Sequence, residues 1–216
     1  MAESVAAPRS RRFGDTADTR RQILQEAEAL LRRFGPAKLT VTDIAAACGM
    51  SHSNLYRFFP SKAAIYGALA EAWFRDVEAA LEQIAAAPGD AAQRLQDYVL
   101  AMLRLKRQKA AADRALFAAY LNAAEECRDV VARHVGQLRA ALRRIVAEGM
   151  TEGRFAAADP EATVSAIEAA TWRFRHPMPI LQHLDEPEEA RAAQVVQLLL
   201  RGLQPAAQSS GSRVTD

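Results

Sequence analysis

The most constraining stretch of this chain is LTVTDIAAACGMSHSNLYRFFPSK, residues 39–62, because its punctuation leaves little freedom. Thr40 stands before Val41 and Asp43 follows three residues on, the spacing of a capping box with Asp in place of Glu. Val41, Ile44, Ala45 and Cys48 then recur as one apolar face of a short helix. Gly49 stands where a left-handed C-terminal residue belongs. Ser51 caps a second short helix running to Phe58, Pro60 stops it, and Ser61 caps a third. Two helices of about two turns each, joined by a tight glycine turn, form a helix-turn-helix. Thr40 and Thr42 at the start of the first helix and Ser51, His52, Ser53, Asn54, Tyr56 and Arg57 on the second are polar. Leu55 and Phe59, four apart, share the opposite, core-facing side.

The flanking sequence extends this helical reading. Ile23, Ala27, Leu30, Leu31 and Phe34 fall on one face of a helix that Asp18 can cap and Gly35-Pro36 ends. Lys62 to Ala87 reads as one long helix, followed by helices near 91–109, 112–123 and 126–150. A helix from Pro160 to about Arg175 and a last one from Pro187 to near Gly202 complete the pattern, with Pro177 and Pro179 read as breakers. That makes about nine helices and no convincing strand. Composition agrees: 47 alanines and 6% aromatic residues favour packed helices over a β-sandwich or barrel. The expected fold is therefore all-α. A basic, aperiodic arm with Arg9, Arg11 and Arg12 covers 1–17, a three-helix domain 18–62, a larger helical domain 63–204, and a disordered tail 205–216.

A helix of this kind fits the DNA major groove, where Asn pairs with adenine and Arg with guanine. A Tyr56 hydroxyl and a Lys62 ammonium suit phosphates. The charge is placed accordingly: residues 1–62 carry ten Lys/Arg against six Asp/Glu, while 63–216 carry 18 against 20. By periodicity alone, the same hairpin also fits a helical pair with a solvated polar face.

The residues go beyond periodicity. From Thr19 to about Trp73, TRRQILQEAEALLRRFG followed by LTVTDIAAACGMSHSNLYRFFPSKAAIYGALAEAW resembles the TetR/AcrR family of transcriptional regulators. The resemblance covers about a quarter of the chain. It implies a three-helix DNA-binding domain and a C-terminal helical domain that dimerises and often encloses a small-molecule pocket. Carried over by motif, the DNA contacts would be Thr40, Thr42, Ser51, His52, Ser53, Asn54, Tyr56, Arg57 and Lys62, with Ile44, Leu55 and Phe59 as scaffold. Ser53 stands where the family often has Gly, Asn54 where it has Thr or Ser, and Arg57 where it has His. Ala63 replaces a common acidic residue. The first three departures bear on which operator sequence is read.

The resemblance further implies a homodimer formed through the last two long helices, about 160–175 and 188–203. Val164, Ile167 and Thr171 line one stripe, and Val195, Val196, Leu199 and Leu203 the other. Both stripes also suit packing within the subunit. For an unidentified small-molecule effector, the pocket candidates are Tyr98, Met102, Phe117, Tyr120, Trp172 and Phe174, each of which suits ordinary core more readily than a pocket wall. His176 suits either a polar ligand or a helix C-terminus.

Other chemistry is set aside. Cys127 and His134 lie two turns apart, about 10.5 Å along a helix, too far to share a metal ion. There is no P-loop, dinucleotide fingerprint or nucleophile elbow. Two cysteines form no disulfide framework and fit a reducing compartment. No signal peptide or run of 18 apolar residues stands out. The expectation is a cytoplasmic, non-enzymatic repressor without cofactor or metal, which binds a palindromic double-stranded operator as a dimer and is released by a ligand. The alternative is a nucleoid-associated architectural DNA binder without an effector.

Overall fold

The computed structural model describes residues 16–156 and 158–205. The expected basic arm through residue 15 and the tail from residue 206 lie outside the described residues. Eleven α-helices follow one another, and no strand occurs among the described residues. They are α1 (Thr16–Phe34), α2 (Val41–Ala47), α3 (His52–Tyr56), α4 (Lys62–Ala86), α5 (Ala91–Ala112) and α6 (Arg114–Ala123). Then come α7 (Arg128–Thr151), α8 (Pro160–Ala170), α9 (Trp172–Arg175), α10 (Pro177–Gln182) and α11 (Glu188–Gly202). A 3₁₀ turn, Ala124–Cys127, joins α6 to α7.

Three apolar clusters hold the helices together. The first joins Ile23, Ala27 and Leu31 of α1, Ile44 of α2, Leu55 of α3 and Phe59 to Ile65, Tyr66 and Leu69 of α4 and to Leu116 and Tyr120 of α6. The core of the first three helices thus continues without a gap across the expected boundary at 62/63. The second cluster packs α4, α5, α7, α8 and α11 around Leu81, Leu95, Leu142, Ile145, Val164 and Val196. A third seats Phe174, Ile180 and Ala192 on Leu100, Leu103 and Phe117.

Several boundaries differ from the sequence reading, each for a local reason. The first helix begins at Thr16, so Asp18 lies in its first turn, where its charge suits the helix dipole, instead of capping it. Phe34 is 45% exposed because α1 buries only its Ile23–Ala27–Leu31 line. The expected helix 160–175 breaks at Thr171, which leaves helical geometry at φ −101°, ψ 7°, while its hydroxyl donates to the Ile167 carbonyl at 2.6 Å. Pro177 opens α10, since a proline at the first helical position loses no hydrogen bond. His176 precedes it in an extended conformation and accepts from the Met178 N–H at 3.3 Å, so it caps the next helix's N-terminus.

The stripes Val164, Ile167, Thr171 and Val196 are all buried within the chain itself, with Val195, Leu199 and Leu203 half-buried beside them. The outward side of α8 instead shows Ala162, Ala166 and Ala170, and that of α11 shows Leu198, 66% exposed.

Candidate functional site

The helix-turn-helix is built by its own capping groups. The Thr40 hydroxyl accepts from the Asp43 N–H at 3.1 Å, while the Asp43 carboxylate accepts from the Thr40 N–H at 3.0 Å and from its hydroxyl at 2.6 Å. At the other end Gly49 takes φ +65°, and two backbone bonds close the turn, Gly49 N–H to Ala46 O and Met50 N–H to Ala45 O, both 3.0 Å. That is a Schellman closure, which needs the left-handed residue glycine supplies. The Ser51 hydroxyl then accepts from the Asn54 N–H at 3.2 Å and starts α3.

Leu55 is fully buried and Phe59 nearly so, which turns the rest of α3 outward. Ser51, His52, Ser53, Tyr56 and Arg57 are exposed, and Asn54 is half-buried. His52 meets Tyr56 edge-on with ring centroids 4.7 Å apart. Thr40 and Thr42 are exposed at the start of α2. From residue 44 to 70 the chain has no carboxylate, so Arg57 and Lys62 are not offset locally. Lys62 is half-buried, and its ammonium donates to the Pro36 carbonyl at 3.2 Å and lies over the Tyr66 ring. The sequence did not reveal this bond. Nor did it reveal Arg20, which sits over the Phe59 ring at 4.2 Å and donates to the Phe58 carbonyl.

The second feature is a cavity of about 460 Å³ among α4, α5, α6, α7, α8 and α9. Its apolar walls are Trp73 and Phe74 of α4, Phe117 and Tyr120 of α6, Leu138 of α7 and Trp172 of α9. Trp73 stacks on Tyr120 with centroids 5.1 Å apart. Phe117, Tyr120, Trp172 and His176 are therefore brought together as wall residues. Tyr98, Met102 and Phe174 are not. Tyr98 and Met102 face a crevice of about 10 Å³, and the Tyr98 hydroxyl donates to the Leu138 carbonyl at 2.6 Å. Phe174 packs with Leu103 and Phe117 in the third core cluster. Periodicity places a side chain on the inner face of a helix, but does not say whether that face meets another helix or a void.

One end of the cavity is polar. Lys106 is buried, and its ammonium donates to the Arg175 carbonyl at 2.6 Å. Burial, then the neighbouring Arg175 charge, pushes its pKa down to about 7. His134 stacks face to face on Phe74 at 3.8 Å, and its Nδ1 lies 2.7 Å from Glu78 Oε1. Its Nε2 is buried without a partner. Burial lowers the His134 pKa, against the pull of Glu78. His176 stacks on Trp172 and is likewise shifted down, by burial and then by Lys106 and Arg175. Glu168 is shared between Arg175, at 2.7 Å, and Arg139. A signal for Lys106 was present in the sequence: it falls four residues after Met102 on the buried line of α5.

Three links join the cavity walls to the helix-turn-helix unit. Lys62 and Tyr66 of α4 both donate to the Pro36 carbonyl, Tyr66 at 3.1 Å. The Tyr120 hydroxyl lies 3.4 Å from Glu28 of α1. Arg32 of α1 pairs with Asp113, the cap of α6.

A helix-turn-helix at one end of an all-helical body with a partly open cavity is the build of a DNA-binding regulator. Residues 23–69 match the family described as "Bacterial regulatory proteins, tetR family", and residues 91–196 match "Tetracyclin repressor-like, C-terminal domain". The chain belongs to the TetR family, whose members are DNA-binding transcription regulators and not enzymes.

Among solved structures, it resembles the TetR family regulator PfmR from Thermus thermophilus, with 25% identity, TM-score 0.58, and coverage of 84% of this chain and 98% of that one. A TetR/AcrR regulator from Thermobifida fusca is 24% identical, with TM-score 0.60 and coverage of 87% and 99%. A transcriptional regulator from Pseudomonas aeruginosa shares the fold at TM-score 0.69 and 20% identity, covering 88% of this chain and 92% of that one. No curated protein matches the sequence. Among the described residues, no helix is long and apolar enough to cross a membrane.

Proposed function

We propose that this chain is a homodimeric repressor that holds a palindromic operator through α3 and releases it when a small molecule fills the cavity. The observation that carries the reading is the cavity's position. Its walls include α4 and α6, and these are the helices bonded to Pro36, Glu28 and Arg32 of the DNA-binding unit. Trp73 lies eleven residues from Lys62, about 16 Å along one uninterrupted helix. A ligand that moves Trp73 therefore acts directly on the contact at Pro36. A tenfold loss of DNA affinity needs only about 1.4 kcal/mol of difference between the two states.

On the DNA side, Ser51, His52, Ser53, Tyr56 and Arg57 are the proposed groove and phosphate contacts, with Thr40, Thr42 and Asn54 at the edges. Lys62 takes a second role, since one of its donors already holds Pro36. The proposed dimer surface is the outward side of α8 and α11, with Ala162, Ala166, Ala170 and Leu198, in place of the stripes that serve the chain's own core. A two-fold dimer would present its recognition helices about 34–36 Å apart, or at a multiple of that spacing, on DNA.

The test is fluorescence anisotropy of the purified protein on DNA flanking its own gene, with random duplex as control over a salt series. Preference for a palindromic segment that survives physiological salt is the expected result. Equal affinity for both, falling steeply with salt, would replace this reading with architectural backbone binding. In the same assay Arg57→Ala should cost about 1–3 kcal/mol and relax the preference at one base position. Unchanged affinity would remove α3 from the groove.

A further inference from the structure

The polar end of the cavity has a charge pattern that the aromatic walls do not explain. Two cations, Lys106 and Arg175, face it, and Glu168, the one carboxylate on its wall among the described residues, is shared between Arg175 and Arg139. Lys106 is more than nine-tenths buried, and its hydrogen-bond partner is a neutral carbonyl. His134, a residue of the cavity wall, is more than nine-tenths buried too, is fixed on one edge by Glu78, and leaves Nε2 buried without a partner. An ammonium without a carboxylate and an imidazole nitrogen without a partner, both buried, are costly unless something polar completes them.

We propose that the cavity takes a small organic carboxylate on an aromatic or alkyl body. Its carboxylate lies at the Lys106–His134 end, and its body lies between Trp73, Phe117 and Trp172. This rests on the reading of the cavity as the effector site. The volume, about 460 Å³, falls within the range for compact small molecules, and the lining is apolar except at that end.

Binding is coupled to protons. With Nδ1–H donating to Glu78, neutral His134 offers only a lone pair at Nε2, and Lys106 has a pKa of about 7 in the free protein. A carboxylate beside them favours the protonated form of both. The charged and titratable groups facing this end are Arg175 and His176 from α9 and its end, Glu168 from α8, and Glu78 from α4, behind His134. Tyr120 and Cys127 also line the cavity, and both are shifted upward by burial, so they stay neutral.

Both tryptophans of the chain, Trp73 and Trp172, line the cavity, so their fluorescence reports occupancy directly. The experiment titrates the whole protein with 2-naphthoate and with 2-naphthalenemethanol, which share a ring system and differ in charge. Naphthoate should bind at least about tenfold more tightly at pH 6.5, and about tenfold more weakly at pH 8.5 than at 6.5, as Lys106 loses its proton. The alcohol should show no such pH dependence. Lys106→Met should remove the preference for naphthoate while leaving the alcohol's affinity within about threefold, which also shows that the cavity survives the substitution. Equal or tighter binding of the alcohol, or a preference untouched by Lys106→Met, overturns the carboxylate and leaves an effector site of other specificity. Binding of neither probe at millimolar concentration overturns both the carboxylate and the effector site.

Discussion

The helix-turn-helix unit and the cavity are built by opposite means. In the first, short elements of five and seven residues are held by caps, a glycine turn and fully buried Leu55 and Ile44, and the cap and turn bonds all close within five residues. In the second, long helices diverge around a void, and the polar groups at its end, Lys106 and His134, are held by residues 69 and 56 positions away. A surface that reads DNA needs a fixed shape, whereas a site that responds to a ligand needs room and unfilled interactions. The two are nevertheless one structure, because the first core cluster runs through both α3 and α6.

The largest expected effect tests that unity. Leu55→Ala removes a fully buried side chain from a helix too short to stand alone, and should cost about 2–5 kcal/mol. Because the same cluster includes Leu116 and Tyr120, urea unfolding should remain a single transition, shifted to lower midpoint and identical by circular dichroism and tryptophan fluorescence. Separate transitions would show that the DNA-binding unit folds independently of the cavity helices. Gly149→Ala probes the other side. A Cβ there would stand 2.3 Å from the Phe155 ring and 2.9 Å from Ala91 Cβ. Overpacking costs about 1–3 kcal/mol and the gain in helix propensity returns about 1, so a net loss of about 1 kcal/mol is expected in thermal melts. A rise in melting temperature would mean that Phe155 moves freely and that the tight end of this domain is as loose as its cavity.

The same contrast explains what the sequence disclosed. The Thr40 capping box, the Gly49 turn, the Ser51 and Ser61 caps and the burial of Ile44, Leu55 and Phe59 are all read from residues within four of one another. Residue type and place in the chain nominate Phe117, Tyr120, Trp172 and His176, and the same reasoning nominates Tyr98, Met102 and Phe174, which are core. The break at Thr171 is hidden because nothing in the helical pattern marks it, and Thr163 and Ser165 make the same backward hydroxyl bond inside unbroken α8. The partners of Lys62 and Lys106 are harder still, since what holds each is a backbone carbonyl, of Pro36 and Arg175, and carbonyls carry no sequence signature.

The smallest expected effect bears on how the two regions are joined. Tyr120 belongs to both, with its ring stacked on Trp73 at the cavity wall and its hydroxyl toward Glu28 of α1. Burial and then the nearby Glu28 raise its pKa above the ordinary tyrosine value, so the hydroxyl keeps its proton and donates. Tyr120→Phe keeps the ring contact and removes only that bond. Paired with Glu28→Gln in a double-mutant cycle, it should show a coupling of about 0.5–1.5 kcal/mol in urea unfolding, nearer the low end at a separation of 3.4 Å. A coupling of zero would leave the Pro36 carbonyl, held by α4, and the Arg32–Asp113 pair, at α6, as the routes between cavity and DNA face. Tyr66→Phe, which removes one of the two donors at Pro36, would then be the substitution that alters the DNA response while sparing ligand binding.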